Sequence, residues 1–312
     1  MSRTADRWTI PVLSVTFLLL WSSGFIAAKI STRTTDVPTV LLWRFVIATV
    51  VTGVAALVLK PGIPRPRNLV HLVVTALLLQ VGVFSSVFTG LSRGVPAGLT
   101  SLIVGLAPLF VGLLTPLVLR TRIGAAPVIG LLIGAVGVYV VVSGNLTAGG
   151  VDATIVLPVM GMLFLTAGTL YQKRFNDDTP VSAAVVVQMV TSCVAILVAM
   201  PFLGAEWAPS GTSGWLSVLW LGVANSAGTF AVMFVLLRRR STVHVSALLN
   251  LSPATTALLA VPLLGESLTV RAVIGLAIAL VGMYVGLGMV RRRGAARDAE
   301  PVRAGAGGDP PG

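Results

Sequence analysis

Only 10% of the 312 residues are charged, so the side chains able to do chemistry stand out against an apolar background. Arg44 lies in LLWRF (41–45), roughly 10 Å into an apolar run at 1.5 Å per helical residue. Left in lipid, a guanidinium at that depth costs at least about 2.5 kcal/mol, so it must snorkel to the interface or face a cavity. Facing a cavity, it favours a carboxylate-bearing or anionic solute. Gln80, Asn225 and Asn250 fall near the middle of their runs, and Gln188 about 12 Å into its own. An amide there either orients a substrate or bonds across helices for about 0.6 kcal/mol. Pro108 and Pro253 are also central. Each removes a backbone donor and frees a carbonyl one turn earlier, near Val104 and Leu249. Freed carbonyls must face protein, water or ligand. The functional reading is a hinge lining a cavity; the structural one is a kink satisfied by a neighbouring helix.

No Asp or Glu lies inside the first eight apolar runs. Glu266 closes the ninth, where it either couples a proton to transport or pairs with Arg271 or Arg93. Aspartyl proteolysis needs two embedded Asp, which are absent. His71 and His244 have no carboxylate at a metal-ligand spacing, and no glycine loop is followed by Lys. A serine–histidine pair stays open. No enzyme, metal or cofactor is therefore expected.

These groups sit in a membrane framework. Hydrophobic residues make up 55% of the chain and mean hydropathy is +0.96. Apolar stretches recur at about the 20 residues that cross a hydrocarbon core of roughly 30 Å. Ten spans are predicted, at 11–31, 37–59, 69–91, 95–119, 124–143, 154–174, 180–203, 213–237, 243–264 and 270–290. All must be helical to satisfy their backbone groups in lipid. The first is read as part of the fold and not as a cleaved leader. The net charge of +12 comes from short basic clusters between spans, which argues for loops facing the cytoplasm and against nucleic acid. With both termini cytoplasmic, seventeen Lys and Arg fall on the inner side and four on the outer. Cys193, the one cysteine, reads as a small packing residue.

Residues 128–140 read VIGLLIGAVGVYV and residues 273–285 read VIGLAIALVGMYV. Nine of thirteen positions agree at an offset of 145. The same offset places Pro108 on Pro253, Arg93 on Arg238 and Gln80 on Asn225; an offset of 144 places Gly24 on Gly168. The chain thus divides into an N-terminal segment (1–10), repeats at 11–143 and 154–290, and a tail (291–312) read as disordered and cytoplasmic. Five spans per repeat is odd, so the second copy must enter from the opposite face. Transporters use such inverted repeats to alternate access around a midplane site.

Several stretches together resemble the EamA-type branch of the drug/metabolite transporter superfamily. They are WSSGFIAAK (21–29), the Arg of LLWRF, GLAPLFVGLL (105–114), NLSPATTALL (250–259) and LLGESLTVRAVIG (263–275). The resemblance covers about residues 10–290. It implies ten helices, cytoplasmic termini, and a cavity lined by helices 1–4 and 6–9, with Trp21 among the substrate-contacting residues. Helices 5 and 10 should then pack peripherally through their small residues. The family often ends its fourth and ninth helices with Glu-Arg. Here Thr121-Arg122 and Glu266-Ser267 stand there, so only Glu266 inherits a role. The chain also lacks the first-helix Glu with which related small multidrug exporters trade protons for cations.

The resulting expectation is an all-α polytopic membrane protein of ten transmembrane helices, arranged as two inverted five-helix repeats in the bacterial inner membrane. It would export a small polar metabolite such as an amino acid, with a proton as candidate coupling ion. A non-transporting scaffold or sensor and a lipid-carrier flippase are the alternatives. A sealed midplane favours the first, and a cavity open sideways to lipid the second.

Overall fold

The apolar runs have no polar partner for their backbones except themselves, and they fold as helices. A computed structural model describes residues 3–59, 66–119, 125–145, 153–175, 180–239 and 242–298. Among the described residues, nine helices are long and apolar enough to cross a membrane. They are α1 (Thr9–Ser31), α2 (Val37–Leu57), α3 (Asn68–Ser92), α4 (Ala97–Val118), α5 (Ala125–Ser143), α6 (Ala153–Phe175), α7 (Ala183–Leu203), α8 (Gly211–Leu237) and α9 (Ala247–Leu264). A shorter apolar helix, α10 (Val270–Gly286), follows. The protein is therefore a multi-pass membrane protein. Its outward surface is apolar, with Phe202 86%, Leu57 78% and Tyr284 79% exposed, as a lipid-facing surface requires.

The helix carrying α10 runs on to Asp298, into the stretch read from sequence as tail. Arg and Ala dominate residues 291–298, and both are strong helix formers. Residues 299–312 lie outside the described residues, as do Lys60, Arg65, Arg120, Thr121 and Arg122.

The phrase written twice packs against itself. A Cβ on Gly137 of α5 would lie 2.6 Å from the Gly275 carbonyl oxygen and the Ala279 nitrogen of α10. One on Gly282 would lie 2.7 Å from the Gly130 oxygen. The two backbones touch, which only glycine allows, and lipid supplies no hydrophobic drive to do this otherwise.

Glycine also joins the two halves of the chain. Gly24 of α1 receives the Asn225 side chain of α8, and Gly168 of α6 receives Leu78 and Leu79 of α3. The segments received are unusual. Leu77–Gly82 in α3 and Trp220–Gly228 in α8 are wound as π-helix. They fall at matching places in the two halves, and each carries one of the equivalent amides, Gln80 and Asn225. π-Turns inside α-helices concentrate at functional sites.

Pro108 breaks α4. Helix runs over Ala97–Gly105 and resumes at Ala107–Leu119, with the Leu109 and Phe110 amides both donating to the Leu106 carbonyl. Pro253 leaves its helix continuous over Thr242–Leu264. It is buried, and its ring packs where Gly105 has no side chain, at the break in α4. Equivalent prolines thus have different surroundings.

Candidate functional site

Arg44 is carried inward by α2 and is 5% exposed. Three aromatic rings surround it. Its Cζ lies 3.6 Å from the centroid of Phe84, 5.5 Å from Phe88 and 5.9 Å from Phe45. Phe84 and Phe88 stand one turn apart on α3, just beyond its π-turn. A desolvated cation over an aromatic face gains about 2 kcal/mol. That does not replace a hydrogen-bond acceptor, and Nε and Nη1 of Arg44 have none. A buried charge without a counter-ion is one of the costlier arrangements a protein can hold.

The guanidinium faces a cavity of about 240 Å³. Its wall is drawn from α1 to α4 and α6 to α8, and is mainly apolar and aromatic. The polar lining is Arg44, Gln80, Thr169, Asn225, Ser226 and Thr229. Among the described residues no Asp or Glu lines it. The Asn225 amide nitrogen donates to the Leu20 carbonyl at 2.9 Å, and Trp220 Nε1 to Ser23 Oγ at 2.9 Å. Both bonds tie α8 to α1 beside the cavity. Ser226 Oγ donates to the Leu221 carbonyl, five residues back as π-winding permits, whereas the Thr229 hydroxyl is buried without a partner.

Four of the substrate-site residues expected from sequence meet here: Trp21, Arg44, Gln80 and Asn225. Four do not line the cavity. Pro108 is exposed and outside the wall, although Val104, whose carbonyl it deprives of a donor, is in it. Gln188 is buried at 6% exposure within α7, and its neighbour Met189 takes the lining position. Asn250 and Pro253 lie on α9, which contributes nothing to the wall. The aromatic cage of Phe84 and Phe88 was not singled out from sequence. Its only signal was the need of Arg44 for neighbours at helical spacing.

A second polar cluster closes the end of the helices remote from the N-terminus. Lys29 Nζ donates to Glu266 Oε1 at 2.7 Å and to the Val95 carbonyl at 3.0 Å. The Ala97 amide donates to both Glu266 oxygens, at 2.9 and 3.1 Å. Gly265, with φ +71°, makes this possible. It ends α9 in the left-handed turn that a Cβ disfavours, and the Glu266 amide then returns to the Ala260 carbonyl. Glu266 is thereby aimed at the first turn of α4, where the helix dipole favours an anion. Its ion-pair partner is Lys29, not the Arg271 or Arg93 considered from sequence.

The histidines pack. Ser14 Oγ lies 2.8 Å from the Ile10 carbonyl oxygen and 2.9 Å from His244 Nε2, which ties α1 to the helix that carries α9. His71 bonds the Tyr171 hydroxyl at 2.8 Å and stacks on Phe175, joining α3 to α6.

Comparison with known proteins agrees with this architecture. The EamA-like transporter family matches twice, over residues 8–143 and 153–287. An "Uncharacterized transporter" of Archaeoglobus fulgidus is 27% identical, covering 92% of this chain and 99% of that protein. A "Probable amino-acid metabolite efflux pump" of Salmonella typhimurium is 24% identical over 91% of this chain and 97% of its own. The "Uncharacterized inner membrane transporter YedA" of Escherichia coli K12 is 24% identical over 84% and 86%. A crystal structure of a 21% identical protein superposes with a TM-score of 0.61, covering 90% of this chain and 98% of that one.

Proposed function

This chain belongs to the EamA-like transporter family, and from that premise we propose that it is a secondary carrier exporting a small metabolite such as an amino acid across the inner membrane. The carrying observation is the cavity itself, in which an unpartnered guanidinium and two symmetry-equivalent amides converge between the two family matches. A cavity between the helices supports transport over a scaffold role, and about 240 Å³ is below the 300–1,000 Å³ of drug-sized sites, which favours a metabolite over a lipid carrier. The names of the Salmonella relative and its counterpart in Escherichia coli, both probable amino-acid metabolite efflux pumps, support the substrate class and the direction.

In this reading the two matches are inverted five-helix repeats, with both termini cytoplasmic. They rock about the cavity to expose it to each face in turn. The Lys29–Glu266 pair holds one face shut, because it links α1 of the first repeat to α9 of the second. A proton is the candidate coupling ion and Glu266 its candidate site. Glu266→Gln should then abolish the dependence of transport on a pH gradient while leaving exchange intact.

The test is counterflow in proteoliposomes, with a labelled pool of amino acids and small metabolites outside and the same pool unlabelled inside. Saturable exchange that one compound competes away supports the reading and names the substrate. Folded protein that exchanges nothing from the pool refutes it.

A further inference from the structure

Among the described residues the cavity wall carries one fixed positive charge and no negative one. The described acidic side chains lie elsewhere: Asp36 and Glu206 near the outer turns, and Glu266 in the clasp with Lys29. Arg44 therefore has no counter-ion within reach of its two buried nitrogens, Nε and Nη1.

Its geometry is prepared for one. A Cζ-to-centroid distance of 3.6 Å is van der Waals contact between flat groups, so the guanidinium lies against the Phe84 ring. Stacking fixes the plane of the guanidinium but uses only its face. The N–H groups point along the edge, within that plane; Nε and Nη1 are buried there without a protein acceptor, so a carboxylate reaches them only as the wall gives way. A planar fork held by its face binds a carboxylate through two parallel hydrogen bonds, which a point-charge ammonium cannot reproduce.

The rest of the wall limits what the carboxylate may be attached to. Phe25, Val83, Val87, Phe88, Leu165 and Met189 offer apolar contact and no acceptor. The Asn225 amide nitrogen is already committed to Leu20, and Ser226 to Leu221. Among the described residues a bound α-ammonium would find no carboxylate in the lining, only neutral acceptors such as the side-chain oxygens of Gln80 and Asn225, so a zwitterion would bury a cation without a counter-ion.

Resting on the carrier reading above, but replacing the amino acid given there as its example, we propose that the preferred ligand of this cavity is a small amine-free carboxylate with an apolar or aromatic body, gripped by Arg44 against Phe84. The site selects for the carboxylate by its fork and against an ammonium by the absence of any acid in the wall.

The test uses the full chain in lipid nanodiscs and three molecules of one shape: 3-phenylpropanoate, L-phenylalanine and 2-phenylethylamine. They carry a carboxylate alone, both groups, and an amine alone. Binding is measured calorimetrically. The expected order is 3-phenylpropanoate at least about tenfold tighter than phenylalanine, with no saturable binding of the amine. Arg44→Gln should weaken 3-phenylpropanoate by about 10- to 100-fold, the range of a charged hydrogen-bond pair. Arg44→Lys should recover only part of that loss. If Arg44→Gln does not fold, Phe84→Leu carries the test, because it frees the guanidinium without removing its charge and should also weaken the carboxylate.

Phenylalanine binding as tightly as 3-phenylpropanoate overturns the amine-free preference. Carboxylate binding indifferent to both Arg44→Gln and Phe84→Leu overturns the role of Arg44. Binding of none of the three by folded protein overturns the proposal as a whole. The carrier reading fails separately: Arg44-dependent binding with no exchange of any pool compound refutes transport but leaves this site standing. Exchange of an amine unaffected by Arg44→Gln does the reverse.

Discussion

Replacing Glu266 by Gln keeps the shape of the clasp and removes its charge. At 2.7 Å and an effective dielectric of about 20, Lys29 and Glu266 attract by about 6 kcal/mol. Most of that is offset by dehydration, since the side chains keep only 14% and 18% of their exposure. Exposed pairs are worth 0–1 kcal/mol, and breaking buried ones costs 3–5 kcal/mol. This pair lies between, so Glu266→Gln is expected to cost about 2 kcal/mol. A glutamine oxygen at the Oε1 position can still accept from both Lys29 and Ala97, so what is lost is the charge. Lys29→Met should cost a similar amount, and the double variant much less than the sum, giving a coupling of about 1–2 kcal/mol in a double-mutant cycle. Thermal unfolding of the purified protein in nanodiscs reads this directly. A functional readout follows from the same geometry. Ser101 is 3% exposed and lies one turn below Ala97, behind the clasp. With Cys193 replaced, a cysteine at 101 should react slowly with a membrane-impermeant thiol reagent, and faster when Glu266→Gln is added. An additive cycle, together with unchanged reactivity at 101, would refute the clasp as a closure.

Gly24→Ala puts a Cβ 2.5 Å from Asn225 Nδ2, forcing that amide off the Leu20 carbonyl. A loss of about 1–3 kcal/mol is expected by thermal unfolding, and adding Asn225→Ala should recover part of it. Gly137→Leu cannot coexist with the Gly275 and Ala279 backbone, so α5 and α10 should separate and monodisperse protein be lost on size exclusion. Val136→Leu, next to it and 53% exposed to lipid, should behave as the parent. Gly265→Ala places a Cβ at φ +71° and should cost about 1–2 kcal/mol, and it should raise the thiol reactivity at 101 by disturbing the aim of Glu266.

The spans and the duplication were legible because lipid imposes long apolar runs and because nine of thirteen identities survive at one offset. Helix rotation was not. A span apolar on all sides gives no stripe from which to tell its inner face. Sequence could therefore assign Gln188 and Asn250 a position along their helices but not a side, and both lie outside the cavity wall. For Arg44 the sequence left two outcomes, snorkelling or facing inward. The deciding fact was the pair Phe84 and Phe88, one turn apart on another helix. The π-turns were invisible too, although the matching positions of Gln80 and Asn225 marked where they would fall.

Duplication also predicted more symmetry than the site has. Pro108 and Pro253 are equivalent in sequence, yet one breaks α4 and faces outward while the other fills the groove at Gly105. Gln80 lines the wall, whereas Asn225 spends its amide on the backbone of α1. Arg44 falls within the matched region and the cavity has no second cation. These departures lie where ligand contact is made, while the helix-packing glycines keep their equivalence: Gly24 with Gly168, and Gly130 and Gly137 with Gly275 and Gly282. If the two halves work as the proposed inverted repeats, symmetry is needed in the surfaces that move, because each half must serve as the other's counterpart when access alternates. A ligand with two different ends, as proposed here, would be oriented by a single guanidinium at one side of the cavity. A second arginine installed opposite Arg44 would restore the symmetry and, by this argument, weaken selection between a carboxylate and a dicarboxylate.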